Sequence, residues 1–194
     1  MSPAPRFTRE QLAAFHGTTV PDFLPSPLRL LMVGINPGLV TAATGTHFGR
    51  AGNRFYPALV AAGILPRVPV LDGTPRDAQE LLGAAGIGIT NLVGFASARA
   101  DELTRAQLRD GAQQLRALVR RERPPVVAIV GVSAYRDAFA LPKAVVGEQP
   151  EGLEGARLWV LPNPSGLNAH DTVASLAAAY AEPARAAGIL PQSS

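Results

Sequence analysis

Short unbroken apolar runs alternate with helix-period segments between Leu28 and Leu161, and this restricts the fold more than any other feature of the chain. Leu28–Asn36, Ile87–Val93, Pro125–Val130 and Leu158–Leu161 read as strands with no polar face. A strand that is apolar on both sides must be covered on both sides, as in a parallel sheet between helices. The intervening helices read as Asn53–Ala62, Arg76–Ala85, Thr104–Glu122 and Ser133–Ala140, with Asp171–Ala181 after the last strand. Leu108, Leu115, Leu118 and Val119 share one face of the longest. Residues 39–52 read as a small-residue loop, 64–75 as a proline-containing loop, and 141–157 as a loop or minor hairpin. The expected fold is α/β: a three-layer α/β/α sandwich around a central, mostly parallel sheet of four or five strands. Residues 1–27 read as a proline-rich arm with one short helix, Thr8–His16, capped by Thr8 with Gln11 at the capping-box position and stopped by Gly17. Residues 28–194 read as one domain.

Right-handed crossovers gather the carboxyl ends of parallel strands on one rim, where open α/β sheets bind ligands. Three strands end there on an amide: Asn36, Asn91 and Asn163. The first break, Gly34-Ile35-Asn36-Pro37-Gly38, lacks the Gly-Lys-Ser/Thr of a Walker loop and the spacing of a dinucleotide fingerprint. Asn36 cannot act as an acid or base near neutral pH, but it can fix a water or a ligand amide. With no cysteine, and with His16, His47 and His170 widely spaced, no cofactor or metal is expected. No apolar run is long enough to span a membrane, and the start lacks a signal-peptide core, so a cytoplasmic protein is expected; separately, a monomer is expected. The net charge is +3, carried almost wholly by arginine, with Lys143 the lone lysine. An Ala-, Gly-, Pro- and Arg-heavy composition accounts for that on its own, so charge points only weakly to nucleic acid.

Further segments accompany the first break: Thr44-Gly45-Thr46-His47-Phe48, Gly52-Asn53-Arg54-Phe55-Tyr56, Gly88-Ile89-Thr90-Asn91-Leu92-Val93 and Leu161-Pro162-Asn163-Pro164-Ser165-Gly166-Leu167-Asn168. From about Val20 to Tyr180 the chain resembles the mismatch-specific uracil/thymine DNA glycosylases of the uracil-DNA glycosylase superfamily. The resemblance implies an enzyme that everts uracil or mispaired thymine from duplex DNA and cuts the N-glycosidic bond, leaving an abasic site for base excision repair. It implies that Asn36 holds the attacking water, and that Ile35, Gly38, Thr41, Phe48 and Asn91 form the base pocket. Phe48 would stack on the base, Asn91 would read its edge and Thr41 would wall its C5 position. Backbone N–H groups near Ile35 and Phe48 would face the departing base. The DNA-binding loop would comprise Asn163, Ser165, Gly166, Leu167 and Asn168. Leu167 would be the wedge that fills the vacated space, with backbone groups of Gly166 and Asn168 toward the orphaned guanine and Ser165 near phosphate. The chain departs from its relatives at Ala169 and His170, where a large residue is usual after the wedge, and at Gly94, where an acid is usual.

Two other readings compete. One is an α/β nucleotide- or DNA-damage-binding protein without glycosylase activity, since fold alone does not fix function. The other is a serine hydrolase built on Ser165, His170 and Asp171. It fails on pattern, because no G-x-S-x-G elbow is present and the three residues crowd one loop.

Overall fold

The computed structural model describes residues 7–166 and 168–192. Its five strands are β1 (Leu30–Gly34), β2 (Ile87–Asn91), β3 (Val126–Val130), β4 (Gly147–Leu153) and β5 (Ala156–Leu161). They form one sheet in the order β2-β1-β3-β5-β4. The first three and β5 run parallel, and β4 is antiparallel at the edge beside β5. The mostly parallel α/β sheet of four or five strands expected from the apolar runs is therefore present, with five.

Successive strand residues feed two separate cores, as the period-two geometry of a strand demands. Leu30, Met32, Ile87, Ile89, Val126, Ala128, Trp159 and Leu161 belong to one core, together with residues of α3 (Phe55–Ala61), α4 (Arg76–Ala85) and α7 (Val173–Ala186). Leu31, Val33, Val127, Ile129, Leu158 and Val160 belong to the other, with α5 (Arg105–Glu122) and α6 (Val132–Phe139). Burying one such leucine is worth about 1.5–3 kcal/mol, so the continuous apolar strands hold the three layers together. The chain leaves β1 toward β2 over one face and returns from β2 to β3 over the other. The carboxyl end of β1 is thus the switch point at which the connections part.

Several local readings need correction. Residues 39–44, expected as loop, form helix α2 (Leu39–Thr44), entered from extended Gly38 and stopped by Gly45 at φ 72°. Val40, Thr41 and Thr44 are β-branched and weak helix formers, but Leu39, Ala42 and Ala43 favour a helix, the flanking glycines bound about one turn and a half, and the Thr44 hydroxyl donates back to the Val40 carbonyl at 2.9 Å. Of the two readings of 141–157, loop or minor hairpin, the hairpin is the one observed: the segment contributes edge strand β4, antiparallel to β5. The last helix runs through Pro183 to Ala186, beyond its expected end at Ala181. The first helix, α1 (Arg9–Ala13), has the expected Thr8–Gln11 capping box. Residues 17–23 run along the outer edge of β2: Phe23 exchanges backbone bonds with Ile89 at 2.9 and 2.7 Å, and Val20 N–H donates to the Gly94 carbonyl at 3.1 Å. That covering protects a strand edge that would otherwise be open.

Helix α5 fixes the far end of β2. A Cβ on Gly111 would stand 2.0 Å from the Leu92 carbonyl oxygen, so only glycine lets the helix sit this close. From there the chain is laced to the end of β1: Leu92 N–H donates to Gly34 O at 2.9 Å, Val93 N–H to Ile35 O at 2.9 Å and Ser97 N–H to Pro37 O at 3.2 Å.

Candidate active site

That lacing brings Ser97, a residue with no cue in the sequence around it, against Asn36. The Asn36 Nδ2 donates to the Ser97 hydroxyl at 2.8 Å and to the Pro37 carbonyl at 3.1 Å. The Ser97 hydroxyl passes its own proton to the Arg99 carbonyl at 2.7 Å. A carbonyl only accepts, so the amide end facing Pro37 is the nitrogen, and the orientation of the carboxamide is fixed by its partners. Both donor hydrogens are consumed. Oδ1, an acceptor, has no partner among the described residues and lies on a half-buried side chain. It is suited to orient a water.

A second group lies across the end of β1. A Cβ on Gly34 would stand 2.4 Å from Asn91 Oδ1 and 3.3 Å from the Phe48 ring, so the bare backbone of Gly34 is the floor on which Asn91 and Phe48 meet. Phe48 adopts φ 56°, a left-handed conformation unusual for an aromatic residue. Its half-buried ring stacks on fully buried Phe55, with centroids 4.0 Å apart and planes at 16°. Phe48 is therefore held on one face by the core, while the ring edge reaches Gly34.

His47 sets the direction of the Asn91 amide. It is buried, and burial pushes its pKa below the ordinary value of 6.5 against weaker raising effects from the Pro21 hydrogen bond and from Asp22. The ring is therefore neutral at pH 7. Nε2 lies 3.1 Å from the Pro21 carbonyl, which can only accept, so Nε2 carries the proton. Nδ1 is then the acceptor for Asn91 Nδ2 at 3.4 Å. That chain leaves Asn91 Oδ1 as the atom over Gly34. The His47 carbonyl accepts from the Tyr56 hydroxyl at 2.8 Å, which ties the loop to α3.

The other expected site residues are placed as follows. Gly38 caps α2 and bridges to Ser97. Thr41 is buried on α2 at 5 % exposure, its carbonyl accepting from Gly45. The N–H groups of Ile35 and Phe48 have no acceptor among the described residues. Ile35 borders an open cleft of about 680 Å³ whose lining includes Gly131, Ser133, Asn163, Ser165 and His170. Asn36 and Phe48 are not in that lining.

Within the 163–171 loop the asparagines work inward. Asn163 Oδ1 accepts from Ser165 N–H at 2.9 Å, and Asn168 Nδ2 donates to the Asn163 carbonyl at 3.0 Å and to Asp171 Oδ2 at 2.8 Å. The Asn168 N–H goes to the Ser165 carbonyl at 2.9 Å and its own carbonyl accepts from Arg54. Its backbone groups, expected to face an orphaned guanine, are thus engaged in shaping the loop. Leu167, the expected wedge, lies outside the described residues. The Asp171 carboxylate is held by Asn168 and Ser175 rather than by His170, which removes the hydrolase arrangement.

A family model described as Uracil DNA glycosylase superfamily matches residues 21–183. The chain belongs to the uracil DNA glycosylase superfamily. The matched region holds β1 to β5 and every site residue described above, and membership supports a DNA glycosylase, a hydrolase of DNA repair. No helix among the described residues is long and apolar enough to cross a membrane.

Proposed function

We propose that this chain is a monofunctional, mismatch-specific DNA glycosylase that everts uracil, or thymine mispaired with guanine, and hydrolyses its N-glycosidic bond. The observation that carries the proposal is the Asn36 carboxamide, locked by Ser97 and Pro37 with Oδ1 open, beside the notch formed by Gly34, Asn91 and Phe48. Eversion costs a few kcal/mol, least at a mismatch, which favours mispaired targets. The flat base would lie against Phe48, a contact worth roughly 1–3 kcal/mol. Asn91 Oδ1 is an acceptor matched to the N3–H of uracil or thymine. Thr41 would stand near C5.

Because Asn36 cannot take a proton, general-base help of about 10²–10⁴-fold is forgone. Glycosidic cleavage tolerates this when bond breaking runs ahead of water attack. The sugar then develops oxocarbenium character while the base leaves as an anion. Fixed donors do the main work at that stage, and the unpartnered N–H groups of Ile35 and Phe48 are the candidates. Asn36 Oδ1 holds the water that adds to C1′, and the water's proton is lost to solvent after addition. Duplex DNA would follow the open cleft beside Ile35, where the start of α6 offers backbone N–H groups toward phosphate. The 163–168 loop would enter the duplex with Leu167 as wedge.

A fluorescent duplex with U opposite G, T opposite G or U opposite A, treated with alkali after incubation, reads abasic sites as breaks. Asn36→Ala is expected to lose most cleavage while keeping its melting temperature and DNA affinity. Cleavage at the wild-type rate by that variant would remove the assigned role. Tight retention on abasic DNA with no cleavage by the intact protein would favour a damage binder instead.

A further inference from the structure

Arg54 immediately precedes α3, yet its side chain makes no capping bond; the Asn53 carboxamide accepts from Phe55 N–H instead, at 2.9 Å. The guanidinium reaches across to a segment more than a hundred residues away. Nη2 donates to the Ser165 carbonyl at 2.5 Å and to the Asn168 carbonyl at 2.7 Å, and Nη1 donates to the Asp171 carbonyl. The Arg54 backbone N–H donates to the Pro164 carbonyl at 3.0 Å. The loop is also seated on the chain just before Arg54: a Cβ on Gly166 would stand 2.7 Å from the Gly52 carbonyl oxygen.

Such a contact set is costly. The charge is held by carbonyl dipoles alone, with no carboxylate in ion-pair range among the described residues, and Nε is buried without a partner. Taking an unpaired charge and a donor out of water opposes folding. A neutral side chain would avoid that cost and leave the loop to settle its own shape, as surface loops ordinarily do. Arginine is suited to the task because its planar fork reaches several diverging acceptors at once, which a single ammonium does less well. The side chain is firmly rooted. Phe55, the next residue, is fully buried between Phe48, Tyr56 and Tyr180.

We propose that Arg54 is the positioning residue of the DNA-insertion loop: it holds the backbone of Pro164, Ser165, Asn168 and Asp171 so that the loop meets the duplex in one conformation. This rests on the reading of the chain as a glycosylase whose 163–168 loop enters DNA. Arg54 touches neither Asn36 nor the notch at Gly34. Shortening it loosens the loop while the base site, built on β1, β2 and the Phe48–Phe55 stack, stays in place. The consequence is selective. Substrates that need a wedge lose rate, and substrates in which the target base is already unpaired do not.

Arg54→Gln and Arg54→Lys, with Leu167→Ala as reference, are assayed on uracil opposite guanine in a duplex. The same uracil is then left unpaired, in a single strand or opposite an abasic sugar. For Arg54→Gln, kcat/KM on the duplex is expected to fall roughly 10- to 100-fold, with Arg54→Lys intermediate and cleavage of the unpaired uracil little changed. Adding Leu167→Ala to Arg54→Gln should cost little more than either alone, because a tip that is not held cannot insert. Equal loss on paired and unpaired substrates, loss on neither, or full additivity with Leu167→Ala would each overturn the proposal. Should Arg54→Gln not fold, Arg54→Lys carries the comparison. Wild-type protein that cuts neither substrate would overturn the glycosylase reading instead.

Discussion

Gly34→Ala places one methyl group at the most crowded point of the candidate site. The added Cβ would stand 2.4 Å from Asn91 Oδ1, whereas ordinary contact begins at 3.4 Å, so the Asn91 amide must retreat by about 1.0 Å, while the Phe48 ring, at 3.3 Å, need yield only slightly. Gly34 lies in β1 outside the left-handed region, so alanine meets no backbone penalty there. Replacing glycine in a strand returns about 0.5–1 kcal/mol, while overpacking costs about 1–3 kcal/mol. The net loss of stability is therefore at most about 2.5 kcal/mol, or a fall in Tm below roughly 10 °C for a chain of this size. A 1 Å misplacement of a positioning group costs about 10²-fold in rate. Single-turnover cleavage of the U:G duplex should therefore fall about 100-fold in a protein whose Tm falls by less than roughly 10 °C. Asn91→Ser in the same chain removes the clash, and the double variant should fare better than the two single losses combined. Gly34→Ala cleaving at the wild-type rate would refute the assignment of the notch as the base site.

Three further outcomes are expected. Ser97→Ala removes one of the two bonds that orient Asn36, a loss of about 0.5–1.5 kcal/mol, so kcat should drop roughly 2- to 12-fold with KM unchanged; an unchanged kcat would leave the Pro37 carbonyl as sufficient. Burial lowers the His47 pKa in the folded state, so below pH 6.5 the unfolded chain binds more protons than the native one. The stability held by neutral His47 is fully present above that pH and is lost as pH falls through the folded value. Cleavage should decline with it, because protonating Nδ1 turns the acceptor for Asn91 into a donor, and thermal melts of His47→Gln should show a shallower acid slope. DNA binding should weaken steeply as salt rises, through release of counterions from the phosphates; a salt-independent affinity measured by anisotropy would argue against a backbone-tracking cleft.

The sheet could be read from the chain because its determinants are local. Leu30–Val33 and Val126–Val130 are apolar on both faces, and α4 and α5 carry their own periodicity and stops. Helix α2 reads as loop because it is short and three of its six residues are β-branched, although Leu39, Ala42 and Ala43 favour the helix that forms between the two glycines. The Gly34–Gly38 break is legible as a candidate site, with Phe48 and Asn91 named beside it. The residues that orient these side chains are not, because each is supplied by chain pairing rather than by a neighbour in sequence. Ser97 reaches Asn36 across 61 residues only after β2 has been laced to β1. His47 stood inside a quoted motif, but its role depends on the Pro21 carbonyl, which is delivered by a lead-in segment that reads as an arm. Arg54 lies in the Gly52–Tyr56 segment, but its role depends on carbonyl partners more than a hundred residues away.

The most direct measurement is a crystal structure of the protein on a duplex carrying a non-hydrolysable 2′-fluorinated deoxyuridine opposite guanine. The account predicts the uracil ring against Phe48, with an ordered water about 3 Å from Asn36 Oδ1 and facing C1′. An everted base seated elsewhere, or a water on C1′ held by some other group with Asn36 turned away, would contradict it.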